Sequence, residues 1–95
     1  MKVVVNRCWG GFSLSQEACE ALGLEWDGYG YSHRYFDVND KDRTDPKLVE
    51  VVEKLGDRAN GSCAELRVIE IPDGIDWYID NYDGMETVRE KHRSW

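Results

Sequence analysis

The residues with the most chemical potential sit in one short run, Arg7-Cys8-Trp9-Gly10-Gly11-Phe12-Ser13, which follows a valine-rich stretch and leads into a helical pattern. A strand-to-helix corner of this kind is where α/β proteins hold ligands. Backbone N–H groups at a helix start attract anions. Arg7, Cys8, Gly10, Gly11 and Ser13 therefore form a candidate binding set for a small anion, nucleotide or other small molecule. The run lacks the GxGxxG spacing and the Walker lysine that would specify a nucleotide. A tight turn with Trp9 and Phe12 in the core accounts for the same residues without a ligand. Cys8 becomes a nucleophile only beside a base that lowers its pKa. His33 and His92 are the two histidines of the chain, and nothing in their spacing brings either one to Cys8. A small enzyme using Cys8 and a histidine is a third alternative, which leaves enzymatic activity open.

Other side-chain sets carry less. Cys8, Cys19 and Cys63 are widely spaced, with no CxxC pair of the kind structural zinc sites use; each reads as a small buried hydrophobe with a free thiol. Asp37, Asp40, Asp42 and Asp45 superficially suggest a calcium loop, but the central glycine and the closing glutamate are missing. Asp76, Asp80, Asp83, Glu86 and Glu90 are plentiful near the end, but abundance in an acidic chain carries no information about acid–base chemistry, and Asp76 and Asp80 share a strand face that reads as water-facing. No cofactor motif and no metal site emerge.

Aromatic residues offer a different kind of function. The chain holds four Trp and five Tyr in 95 residues, more than a small core hides, and exposed aromatic clusters favour partner surfaces. Trp26, Tyr29, Tyr31, Arg34 and Tyr35 form the candidate patch. A second is the ending Glu90-Lys91-His92-Arg93-Ser94-Trp95, where Trp95 either anchors the tail on the body or meets a partner, and orders His92 and Arg93 in both cases.

Charge narrows the partners. Twelve basic and 19 acidic residues give a formal charge of −7. Such a surface repels phosphate backbones, so non-specific nucleic-acid binding is not expected, whereas a basic protein face is a suitable partner; a homodimer is the other partner reading, with an aromatic patch buried across a two-fold axis. No run reaches the ~18 apolar residues of a membrane span, and no secretory leader pattern is present. Together with the odd cysteine count, this places the expected home in the cytoplasm.

These residues need a scaffold to position them. Lys2–Asn6 reads as a strand whose consecutive valines ask for cover on both faces, hence a central strand. Leu14, Ala18, Ala21 and Leu22 mark a helix over 14–22, with Ser13 and Gln16 as its capping box and Gly23 as its stop. Asp37–Asp45 reads as an exposed charged loop, preceded by a possible short strand around Tyr29–Arg34. Asp45-Pro46 opens a second helix with an apolar stripe at Leu48, Val51, Val52, Leu55 and Ala59. Ala64–Ile71 and Ile75–Asp80 read as two strands joined into a hairpin at Pro72-Asp73-Gly74. Tyr82-Asp83-Gly84 is a further turn, and Met85–Lys91 reads as a final edge strand or one helical turn, the strand being favoured by β-branched Thr87 and Val88. The expected fold is one α+β domain spanning 1–95: a small three- to five-stranded mixed sheet with two helices packed on one face.

The opening Val3-Val4-Val5-Asn6-Arg7-Cys8-Trp9-Gly10-Gly11-Phe12, the stretches Ala59-Asn60-Gly61 and Ile69-Glu70-Ile71-Pro72-Asp73, and the ending Glu90–Trp95 resemble a family of small uncharacterised bacteriophage and prophage proteins. The likeness spans most of the chain and is weakest over 24–44. That family brings no assigned activity. It implies a phage or prophage product in a bacterial cytoplasm, and by analogy one that binds a host or phage protein. The expected function is a small acidic protein-interaction module.

Overall fold

The computed structural model describes residues 1–26, 28, 42–62 and 64–90. In chain order these form β1 (Lys2–Asn6), α1 (Gln16–Leu22), a 3-10 turn at Asp42–Thr44, α2 (Pro46–Leu55), a second 3-10 turn at Gly56–Ala59, β2 (Leu66–Glu70), β3 (Trp77–Tyr82) and β4 (Met85–Glu90). The α+β class stands, and the expected three- to five-stranded single sheet is not found among the described residues. The described strands make two antiparallel pairs, β1 with β2 and β3 with β4. The expected hairpin across Pro72-Asp73-Gly74 is replaced by these pairings. Asp83 and Gly84 both take positive φ, 53° and 92°, the backbone of a type I′ turn, which joins strands tightly. That turn gives β3 its partner in β4, and β2 is left to pair with β1. The possible strand around Tyr29–Arg34 lies outside the described residues.

The run of valines is explained by a layer on each side of β1. Val4 joins Leu48, Val52, Ala18, Leu22 and Leu66 in a core under both helices. Val3 and Val5 point the other way and pack with Ile79 of β3, flanked by Ile69, Trp77 and Val88. All three valines are fully buried. β1 is thus covered on both faces, as the sequence implies, while having one strand partner among the described residues.

Local signals set the helices. Asp45 caps α2 by accepting from the Lys47 N–H, with Pro46 at the first turn. The expected stripe is inward: Leu48, Val51, Val52 and Ala59 are buried, with Val49 added. α1 begins later than its pattern suggests. Leu14 forms a bridge with Asn60, and the Ser15 N–H donates to Ala59 O. The cap therefore moves from Ser13 to Ser15, whose Oγ accepts from the Ala18 N–H, and Ala21 turns out to be exposed.

The largest departure from the sequence reading is at Arg43 and Glu86. The charged 37–45 run reads as an exposed loop, and nothing in the sequence singles out Glu86 from the acids around it, yet the Arg43 and Glu86 side chains are buried, at 0% and 1% exposure. They form a two-pronged pair, Nη1 to Oε1 and Nη2 to Oε2, the latter at 2.8 Å. The Arg43 guanidinium also lies over the Phe12 ring, 3.7 Å from its centroid.

The pair meets the strand edge that β2 leaves open. In an antiparallel ladder, alternate residues direct their N–H and C=O to opposite edges. The Arg7 N–H donates to Glu65 O and the Ile71 N–H to Met1 O, so odd-numbered residues of β1 face β2. On the opposite edge the Asn6 N–H donates to Glu86 Oε1 at 2.8 Å, and Val4 O accepts from Arg43 Nη1 at a long 3.4 Å. One carboxylate and one guanidinium stand where a neighbouring strand would supply an acceptor and a donor.

Cutting half of such a pair leaves the other half buried and uncompensated, at a cost of about 3–5 kcal/mol. Glu86→Leu is expected to lower unfolding stability by that amount in urea titrations. Arg43→Met/Glu86→Leu together should lose less than the sum of the two single variants, because neither charge is then stranded.

Candidate functional site

The clearest surface feature is built where β1 ends. Asn6 is fully buried and its amide ties together three chain segments. Nδ2 donates to Cys8 O at 2.6 Å and to Gly84 O at 2.7 Å. Oδ1 accepts from the Glu65 N–H at 2.8 Å and the Cys8 N–H at 3.3 Å. The 8–11 corner is thereby fastened to the tip of the β3–β4 hairpin. Gly84 sits so close that an added Cβ would strike Trp9 O and the Gly11 backbone N. The Gly84 N–H donates to Asn81 Oδ1 at 3.0 Å, which closes the turn.

On this support stand two exposed aromatic rings. Trp9 is 55% exposed and Tyr82 73%. They meet edge to face, centroids 5.8 Å apart and planes at 73°, the arrangement aromatic quadrupoles prefer. Asp83 follows at the turn, exposed. Several other surface acids have cationic partners: Asp80 bonds Arg89 Nε at 2.7 Å, and Glu53 bonds Lys2 Nζ at 2.9 Å. Asp83 has no ion-pair partner among the described residues. The Glu53 carboxylate, by its hydrogen bond first and its charge second, holds the Lys2 pKa above the ordinary lysine value.

The residues singled out from sequence meet different fates. Arg7 points its Nη1 at Glu86 O, 3.1 Å, and Thr87 Oγ1, 3.2 Å, fastening β1 to β4. Ser13 is buried, and its Oγ has no hydrogen-bond partner. α1 has seven residues and its cap is Ser15. Gly10 and Gly11 serve the corner, Gly11 at φ 91°. Of the anion-binding set, Arg7 is thus engaged with β4 and Ser13 is buried. Cys8 is half-buried with a free thiol, Cys19 is buried, and Cys63 lies outside the described residues. Trp26 is exposed at 36%. Tyr29, Tyr31, Arg34, Tyr35, His33, His92, Arg93 and Trp95 lie outside the described residues, and with them the aromatic-loop and tail readings.

Trp9 corrects the expectation of a core residue. The close approach of Gly84 occupies the inner side of the corner, so Phe12 turns inward and Trp9 outward. Sequence reasoning missed Asn6, Arg43, Tyr82 and Glu86. One signal was present: Asp-Gly flanked by strand-forming residues marks a hairpin whose preceding residue stands at the tip. Nothing in the sequence spacing marks Arg43 and Glu86 as partners.

A groove of about 790 Å³ also opens between Met1, Lys2 and the outer side of α2 at Pro46, Val49 and Lys54. Thr44, Glu50 and Glu53 also line it, and its Lys2 is bonded to Glu53. Among the described residues, no group of three or more His, Cys, Asp or Glu is placed to hold a metal, and no helix is long and apolar enough to cross a membrane. Comparison with protein-family models, with curated proteins and with solved structures gives no match.

Two stability effects follow from this geometry. Ser13→Ala removes an unsatisfied buried hydroxyl and is expected to raise stability by about 1 kcal/mol, read as a higher urea midpoint. Gly84→Ala forces a side chain into the corner at a positive φ and should cost about 1–3 kcal/mol. Near-ultraviolet circular dichroism should lose the Trp9–Tyr82 contribution in the same variant.

Proposed function

We propose that the protein is an interaction module that docks on a basic protein surface through the Trp9–Tyr82 pair. The observation that carries this reading is the exposure of two large rings on a well-tied corner. Trp9 and Tyr82 are 55% and 73% exposed, yet the backbone beneath them is fixed by the Asn6 hydrogen bonds and the Gly84 contact. Interface anchors are rich in Trp and Tyr, and a pre-positioned anchor loses little entropy on binding. The outer face of the β3–β4 hairpin extends the patch. Tyr78, Met85 and Thr87 alternate there with inward Ile79, Glu86 and Val88, and Tyr and Met are favoured at interfaces.

Electrostatics supports the choice of partner. A formal charge of −7 repels a second copy and attracts a basic face, speeding encounter at low salt. The phage-family resemblance supplies a setting in which that partner is a host or phage protein in a bacterial cytoplasm. The small-anion reading has less support, because Arg7 is engaged by Glu86 O and Thr87 Oγ1 and Ser13 is buried.

Affinity capture from bacterial lysate, followed by reconstitution with the purified partner, tests the reading. The expected outcome is one stoichiometric partner with a basic contact face, whose binding weakens as salt rises. Trp9→Ala/Tyr82→Ala should abolish that binding with little change in unfolding stability, since both rings are largely in water. Retention of the same partner by the double variant overturns the proposal.

A further inference from the structure

We infer that the anchor this surface accepts is an arginine side chain of the partner, held between the Trp9–Tyr82 rings and the Asp83 carboxylate. The inference rests on the docking role proposed above and specifies its chemistry. Three observations converge at the hairpin tip. The first is the ring pair itself: rings at 73° to one another and 5.8 Å apart offer an electron-rich face beside a second ring's edge, and both are exposed. A planar guanidinium stacks on such a face while keeping its edge N–H groups free for an acceptor; a lysine ammonium lacks the plane and is more strongly hydrated.

The second is the acid. Asp83 is fixed at φ 53° in a turn closed by the Asn81–Gly84 hydrogen bond, directly after Tyr82. It has no ion-pair partner among the described residues, whereas Asp80 on the same hairpin is taken by Arg89. A carboxylate one residue along the chain from an exposed ring offers a guanidinium a partner for its edge while the ring takes its plane. The third is that no described cation covers the rings. Arg7, the nearest guanidinium along the chain, is bound to Glu86 O and Thr87 Oγ1. The interior of the protein contains the same chemistry once already, in Arg43 stacked on Phe12 and paired with Glu86.

The experiment uses the full chain, labelled with nitrogen-15, and two synthetic peptides. Both are short glycine-serine peptides with three cations, arginine in one and lysine in the other. Indole and amide shifts are followed at low salt, with Trp9→Phe assigning the Trp9 indole signal. The arginine peptide should shift the Trp9 indole and the Gly84 amide, and bind about threefold to tenfold more tightly than the lysine peptide. Asp83→Asn should reduce that preference without unfolding the chain. Equal affinity for the two peptides, or shifts confined to acids away from the hairpin tip, overturns the arginine assignment. The two ideas fail separately. A captured partner lost on Trp9→Ala/Tyr82→Ala, alongside equal peptide affinities, sinks the arginine anchor alone; a partner retained by that double variant sinks the docking role.

Discussion

The fold depends on the buried pair between Arg43 and Glu86. β1 has one strand partner among the described residues, so its other edge would present bare N–H and C=O groups to the interior. An unpaired buried backbone group costs about as much as a lost hydrogen bond. Here the carboxylate accepts from Asn6 and the guanidinium reaches Val4 O. Because the two charged groups also neutralise each other, the chain closes an interior strand edge with side chains. The arrangement joins β1, the 3-10 turn ahead of α2, the Phe12 corner and β4 at a single point. A buried pair adds little net stability over an apolar replacement. What it adds here is position: Glu86 is held at the Asn6 N–H, which sets where the hairpin lies against β1.

That placement fixes the surface. With Glu86 held at Asn6, Gly84 falls against Trp9 and Gly11, and Asn6 Nδ2 reaches Gly84 O. Tyr82, two residues before Gly84 on the outer face, then stands beside Trp9. The exposed pair is therefore a consequence of the buried one, reached through Asn6 and a glycine that leaves no room for a side chain. This explains how two large rings stay ordered while mostly in water.

Much of the scaffold was legible in the sequence, because its signals are local. Consecutive valines at 3–5 gave burial on both faces, Asp45-Pro46 gave the start of α2, and the 48–59 stripe gave its inward side. Pairing was less legible. Val3–Val5 state that they need two covers without stating which elements provide them, and the choice between a hairpin at Pro72–Gly74 and one at Asp83-Gly84 turns on backbone φ. Burial of charge was not legible at all. Arg43 sits in a run of acids that looks solvated, and Glu86 lies 43 residues later among other acids; a non-local pair of single charges leaves no periodic trace. Trp9 was misplaced for a related reason: a corner between strand and helix has room for one inward ring, and sequence alone does not say whether Trp9 or Phe12 takes it.

The same logic separates the two kinds of aromatic residue in this chain. A ring inside a small core is held by its neighbours and its removal shows as lost stability; Phe12, buried beneath a guanidinium, is of that kind. A ring held from below by backbone contacts and open above does little for folding, since its face remains hydrated. Trp9 and Tyr82 meet that condition, and the elements beneath them are tied by part-buried hydrogen bonds that do not involve the rings. Apolar area that folding leaves in water, on a support that folding makes rigid, is free to be buried against another molecule at small entropic cost. That physical separation of support from contact surface, more than the number of aromatic residues, is the ground for the docking role proposed for the hairpin tip.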